Sequence, residues 1–165
     1  VNLTSFALDG IAHAAEALVG KAVGQRNRTS LEESVRLCLK WSAYFAAGIS
    51  AAYLVAGQFL VNVLTDLPDV RGATMTYLPW VIISPLIAVW SFLYDGVYVG
   101  ATRAREMRDI MIVSTFIVFL PAWYLLQGFG NHGLWAAFTL FMASRGIGMH
   151  IGYRRKLLPA VDAPE

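Results

Sequence analysis

Asp9, His13, Glu16 and Gly20 follow one another at intervals of four, three and four residues. A helix turns by about 100° per residue, so this spacing gathers them on one narrow stripe, with Ser5 close beside it. The other positions of the segment are mostly Ala, Ile, Leu and Val. Carboxylates and an imidazole on one face of an apolar helix can line a cavity, bind a cation or relay protons. The same groups can also lock neighbouring helices together through hydrogen bonds. A second set lies further along. Asp95 sits in Tyr94-Asp95-Gly96-Val97-Tyr98-Val99-Gly100, and Arg145 in Ala143-Ser144-Arg145-Gly146. A carboxylate in an apolar setting needs a partner, because isolated burial drives it to protonate or to draw in water. Opposite charge and similar depth make Asp95 and Arg145 candidates for an ion pair. That pair is either a fixed bridge or one that breaks and reforms as helices move. Asp9, His13, Glu16 and Asp95 are the candidates for binding a substrate or coupling a proton.

Other chemistries find no support. No glycine-rich phosphate loop is present, so nothing points to nucleotide use. His13, His132 and His150 stand on separate segments without zinc-type spacing, and no metal site is expected. No serine-centred nucleophile motif stands out. The single cysteine, Cys38, allows no internal disulfide and reads as a small buried apolar residue. No catalytic residue, cofactor or nucleic-acid partner is expected, and the chain does not read as an enzyme.

The elements that must position these residues follow from composition. Of 165 residues, 57% are hydrophobic and 15% charged, and the mean hydropathy is +0.54. Soluble domains carry about 25% charged residues, and a chain this short could not bury so much apolar surface by itself. The expected fold class is an all-α integral membrane protein of about five transmembrane helices. Spans are predicted at about 3–23, 35–64, 77–101, 110–129 and 132–153, against the roughly 20 residues that cross a bilayer; the second is longer than needed and must tilt or project beyond the membrane. Together they form one transmembrane unit over residues 1–158, followed by a short disordered cytoplasmic tail at 159–165. Turn and charge signals separate the spans at 25–30, 65–69, 102–106 and 128–131. Pro85 and Pro121 fall inside spans and should bend them.

Lys21, Arg26, Arg28 and Arg36 flank the first connection, Arg103, Arg105 and Arg108 the third, and Arg154, Arg155 and Lys156 the tail. The alternate connections hold only Arg71. The positive-inside rule puts the basic set in the cytoplasm, with the N-terminus outside and the C-terminus inside. Tyr77, Trp80, Trp123 and Trp135 fall near predicted outer ends, and Trp41 and Tyr153 near inner ends, as amphipathic rings prefer. Trp90 lies too deep for that belt. The chain opens at Val1 inside an apolar helical pattern. An outside N-terminus without a leader also calls for an odd number of upstream spans. Both features predict a piece of a longer polypeptide.

Three stretches then carry a family resemblance: residues 8–27 (LDGIAHAAEALVGKAVGQRN), 94–109 (YDGVYVGATRAREMRD) and 130–146 (GNHGLWAAFTLFMASRG). With the span spacing, the chain resembles the C-terminal half of DinF-type transporters of the multidrug and toxic compound extrusion (MATE) family over nearly its whole length. The resemblance implies twelve spans in two six-helix lobes around a central cavity. It implies export of organic, often cationic, compounds driven by protons or Na⁺, in the cell (inner) membrane. The five spans would be the eighth to twelfth, most of one six-helix lobe. The partners implied are the bilayer, the missing N-terminal lobe and a small organic substrate. The family's best-known coupling carboxylate lies on its first span, so no residue here inherits that role.

Two other functions compete. A lipid-linked precursor flippase of the same superfamily would need a basic cavity, whereas Asp9, Glu16 and Asp95 outnumber Arg145 among intramembrane charges. A small membrane scaffold without transport would keep the Asp9–Glu16 stripe buried and dry.

Overall fold

A computed structural model describes residues 2–64 and 68–162, with side-chain detail beginning at Asp9. Ser5 and the connection at 65–67 lie outside that description. All described regular structure is helical. Five rods account for it: α1 (Asn2–Gly24), α2 (Arg28–Leu64), α3 (Pro68–Gly100), α4 (Ala104–Val113) running on into α5 (Leu120–Leu125), and α6 (Asn131–Gly152) running on into α7 (Leu158–Asp162). With 23, 37 and 33 residues in α1, α2 and α3, and 22 in α6, each is long enough to cross about 30 Å of hydrocarbon at 1.5 Å per residue. Among the described residues, Arg71–Gly100 and Ala104–Leu125 meet the demands of length and apolarity together. The other rods carry charges within their length or continue into charged ends.

The helices outrun the predicted spans because their polar ends are stabilised locally. Asn27 Oδ1 accepts the Ser30 amide hydrogen at 2.9 Å, an N-cap that starts α2 seven residues before the predicted span at 35. Arg28 and Glu32 add an i,i+4 pair at 2.9 Å on the first turns. At the other end of that connection α1 closes with Asn27 N donating to Ala22 O at 3.1 Å and Arg26 at φ 50°. The same closure ends α3, with Arg103 N donating to Tyr98 O at 2.9 Å and Thr102 at φ 58°. Both are left-handed helix stops built without glycine at the strained position.

Two prolines are accommodated by widening the turn before them. Residues Ser114–Phe119 and Tyr153–Leu157 are π-helical. The Leu120 amide reaches back five residues to Thr115 O, and Leu158 to Tyr153 O. Each directly precedes a proline, Pro121 or Pro159. A proline lacks its own amide hydrogen and crowds the carbonyl four residues back, and the wider turn relieves both problems. Over residues 159–162 this replaces the disordered tail predicted there with helix, which continues to Asp162, and the remainder of that tail lies outside the described residues. Leu157 and Leu158 are buried in the core, and Val161 packs against it.

The centre of the bundle is α3, which packs against α1, α2, α4 and α6. It is apolar nearly all round, as suits a helix that packs on some faces and leaves Ile83, Leu86, Trp90 and Val99 open to lipid on others. Leu93, Tyr94, Val97 and Tyr98 meet Ala15, Val19 and Ala22 of α1, Leu31 and Val35 of α2, and Met149 and Tyr153. Gly96 and Gly100 let α1 come close: a Cβ at Gly96 would strike the Ala12 carbonyl oxygen, and one at Gly100 the Glu16 carbonyl oxygen. Small residues permit such contact where apolar burial alone gives no drive. The outer surface is equally telling. Trp41, Leu54, Val55, Phe59, Tyr124 and Leu125 are all exposed. An aqueous surface rarely tolerates so large an apolar area, and a lipid-facing one requires it.

Candidate functional site

The first predicted stripe does not occupy one environment. Ala15, Val19 and Ala22 turn the packed face of α1 to the core. His13 and Glu16 look away from it, with side chains 79% and 41% exposed and His13 Nδ1 3.4 Å from Glu16 Oε2. Asp9 is half-buried. Gly20, at the far end of the stripe, lies against α3 beside the Gly100 carbonyl. The stripe is therefore most open at His13, partly covered at Asp9 and Glu16, and packed against α3 at Gly20.

The second set is closed. Arg145 Nη2 of α6 donates to both Asp95 oxygens of α3, at 2.6 and 2.7 Å. The side chains are 12% and 24% exposed. Arg145 Nε is buried without an acceptor among the described residues. Arg145 thus holds the carboxylate through a single nitrogen instead of the two-pronged fork it can offer. Asp9 comes level with this pair. The α1–α3 contacts explain why. Ala12 lies opposite Gly96 and Glu16 opposite Gly100, so the two helices run parallel and Asp9 is level with the turn holding Asp95.

Helices α3 and α6 also run parallel, at a nearly constant offset. Trp80 Nε1 donates to His132 Nδ1 at 3.0 Å, Tyr98 Oη donates to the Met149 carbonyl at 3.0 Å, and Tyr94 Oη lies 2.5 Å from His150 Nδ1. With Asp95–Arg145, these ties fasten the two helices near both ends. Sequence spacing alone missed His150 and His132, since their partners are more than 50 residues away. A helical phase argument could have found them: once Asp95 faces Arg145 on parallel helices, Tyr98 must face Met149 and Tyr94 must lie near His150.

Trp90, unexplained by an interfacial belt, lines a cavity of about 450 Å³ between α2, α3 and α6. Tyr94 and His150 stand at its edge, and both also line a second cavity of about 500 Å³ reaching Arg36 and Arg154. The basic residues collect at this end of the bundle, where α1, α3 and α6 finish and α2 and α4 begin. Among the described residues no three His, Cys, Asp or Glu side chains converge as a metal site would require. Cys38 is buried in the core as a free thiol.

Comparison with known proteins places this arrangement. A family profile described as MatE matches residues 1–125. DNA damage-inducible protein F of Escherichia coli (strain K12) is 39% identical over 155 residues, covering 94% of this chain and 34% of that protein. Protein DETOXIFICATION 45, chloroplastic, of Arabidopsis thaliana is 23% identical over 158 residues, covering 92% of this chain and 26% of that protein. Among solved structures, the eukaryotic MATE transporter AtDTX14 superposes with a TM-score of 0.84 at 15% identity, covering 93% of this chain and 35% of that one. The chain thus spans between about a quarter and a third of the length of these relatives. The profile covers well over half of the chain, and the parallel α1, α3 and α6 with antiparallel α2 between them follow a MATE transporter's fold. This all-helical membrane chain belongs to the MatE family.

Proposed function

We propose that the chain forms most of the C-terminal lobe of a secondary active efflux transporter, exporting organic, often cationic, compounds in exchange for protons or Na⁺. One observation carries this beyond family membership: the ionisable part of α1 is turned out of the helix packing. A scaffold would bury His13 and Glu16 in helix contacts, whereas within these helices His13 is exposed and Glu16 only partly covered, which favours the transporter reading. An aqueous cavity facing a second lobe is the surrounding that makes an open carboxylate on a membrane helix tolerable. There Asp9 and Glu16 attract cations and exchange them for protons, as carboxylates in a partly desolvated site do. The Asp95–Arg145 bridge holds α3 to α6, with Asp9 level with it on α1. The basic end faces the cytoplasm and the chain's N-terminus lies outside, in a cell (inner) membrane, with the N-terminal lobe of the same polypeptide as partner.

The test is drug resistance and proton-gradient-driven efflux in cells carrying the full-length protein. Glu16→Gln and Asp95→Asn should each reduce efflux while membrane insertion is kept. Wild-type resistance in both variants would sink the proposal.

A further inference from the structure

The two cavities at the basic end share Leu39, Tyr94 and His150 and differ in everything else. The apolar one, of about 450 Å³, is walled by Leu86, Ile87, Trp90, Ala143, Gly146 and Ile147 and opens to the outer surface at Ile147. From Tyr94 to Leu86 it follows α3 for roughly 12 Å at 1.5 Å per residue. The outer one, of about 500 Å³, holds Arg28, Glu32, Arg36 and Arg154. Glu32 is taken up by Arg28 at 2.9 Å. Arg36 and Arg154 make no ion pair among the described residues. The mouth therefore offers two uncompensated guanidinium groups, and behind them lies an apolar slot with the Tyr94–His150 hydrogen bond on the threshold. Both volumes are in the range of small-ligand sites, about 300–1,000 Å³.

This juxtaposition fits an anion attached to a hydrocarbon chain. A free phosphate would satisfy the mouth and leave the slot empty. A neutral lipid would fill the slot and leave the guanidiniums uncompensated. We propose that the cleft between α2, α3 and α6 is a binding site for an anionic phospholipid of the cytoplasmic leaflet, its phosphate on Arg36 and Arg154 and one acyl chain along Trp90 and Ile147. Position supports the assignment: the mouth lies where the basic ends of the helices gather, and basic pockets between helices at the cytoplasmic surface are where anionic headgroups are held. Trp41 and Tyr44 stand exposed on the same end of α2, at a level suited to the interface. The site ties lipid composition to the α3–α6 contact, because its threshold is one of the bonds that fasten those helices. The inference rests on the membrane reading and its orientation and on no step of transport.

The test uses the full-length protein in nanodiscs, read by lipid retention in native mass spectrometry and by thermal stability. Phosphatidylglycerol should be retained over phosphatidylcholine by the wild type, and Arg36→Gln with Arg154→Gln should lower that preference about 25-fold, at about fivefold for each guanidinium removed. Ile147→Trp, which fills the slot at an exposed position, should also displace the lipid. Inorganic phosphate should not reproduce the stabilisation. Equal retention of the two lipids by the wild type, or equal stabilisation by inorganic phosphate, would overturn the proposal. Should the variants fail to fold, wild-type protein labelled by an anionic lipid with a diazirine in its acyl chain decides: label on residues 86–90 and 143–147 supports the site, and label confined elsewhere overturns it. Release of the protein from membranes by alkaline wash would instead overturn the membrane reading beneath it.

Discussion

The molecule contains two polar rows built from the same materials, and they are held in opposite ways. On α1, His13 and Glu16 come from one helix, lie 3.4 Å apart and are 79% and 41% exposed. Between α3 and α6, Asp95 and Arg145 come from helices 50 residues apart in sequence, meet at 2.6 and 2.7 Å and are mostly buried. A local exposed pair is formed by helix geometry alone and contributes little to the fold. A distant buried pair exists only if the tertiary structure brings it together, and it costs much to break one side of it. The comparison separates groups free to change partner from groups that hold the frame.

The sharpest way to break that contrast is to remove one side of the buried pair. Arg145→Ala leaves Asp95 charged, half-enclosed and without its partner. The expected loss is about 3 kcal/mol, the low end for a buried pair because Asp95 keeps some exposure. Thermal or detergent-induced unfolding of the purified protein would measure it. A combined Asp95→Asn, Arg145→Gln variant should recover part of the loss, since no bare charge remains. If Arg145→Ala is as harmless as His13→Ala, the two rows do not differ in this way.

Gly96→Ala probes the joint between the rows. The added methyl would meet the Ala12 carbonyl oxygen. That backbone atom lies within an α-helix and cannot swing aside as a side chain could. Forcing α1 and α3 apart should cost about 2 kcal/mol, within the usual range for overpacking. It should also draw Asp9 away from the Asp95–Arg145 pair, so Gly96→Ala should lower efflux beyond what its unfolding midpoint explains. Gly10→Ala, where nothing lies within 4 Å, is the matched control and should be near neutral.

How far each row was legible follows from how it is built. The α1 row was visible because intervals of three and four on one helix are a property of sequence alone. What the intervals could not show was that Gly20 packs against α3 while His13 and Glu16 face outward, since that depends on which neighbour occupies which side. The charges of Asp95 and Arg145 and their similar depth were visible, whereas the contact between them needed the parallel course of α3 and α6. The Tyr94–His150 and Trp80–His132 bonds were hidden for the same reason. The helices were plain from apolar length, but their ends were not. Asn27 caps α2 with a side-chain hydrogen bond, and π-helical turns carry the helix through Pro121, where a bend was expected, and through Pro159, where a disordered tail was. Hydrophobic periodicity reports burial and is silent on both devices.

A smaller effect should come from Tyr98→Phe. Its hydroxyl donates to the buried Met149 carbonyl at 3.0 Å, one of the bonds between α3 and α6. Losing a neutral hydrogen bond there should cost about 1 kcal/mol in unfolding measurements. The ring remains in place, so the surrounding contacts of Tyr94 and Tyr153 should persist. An effect near 3 kcal/mol would mean that hydrogen bonding outweighs the ion pair in fastening these helices.

The smallest change in stability and the largest divergence from function should fall on α1. His13→Ala and Glu16→Gln touch exposed groups in a long contact, and each should shift stability by less than about 0.5 kcal/mol. If the row faces the transport cavity, Glu16→Gln nonetheless lowers efflux, because the variant keeps shape and hydrogen bonding and loses only the charge and the exchangeable proton. His13→Ala tests whether the imidazole takes part in that exchange. Unchanged efflux assigns it to Glu16 and Asp9, and a parallel loss makes His13 part of the relay. A stability loss of several kcal/mol from Glu16→Gln would instead place the group in helix packing, and the distinction between a free row and a framing row would collapse onto α3 and α6 alone.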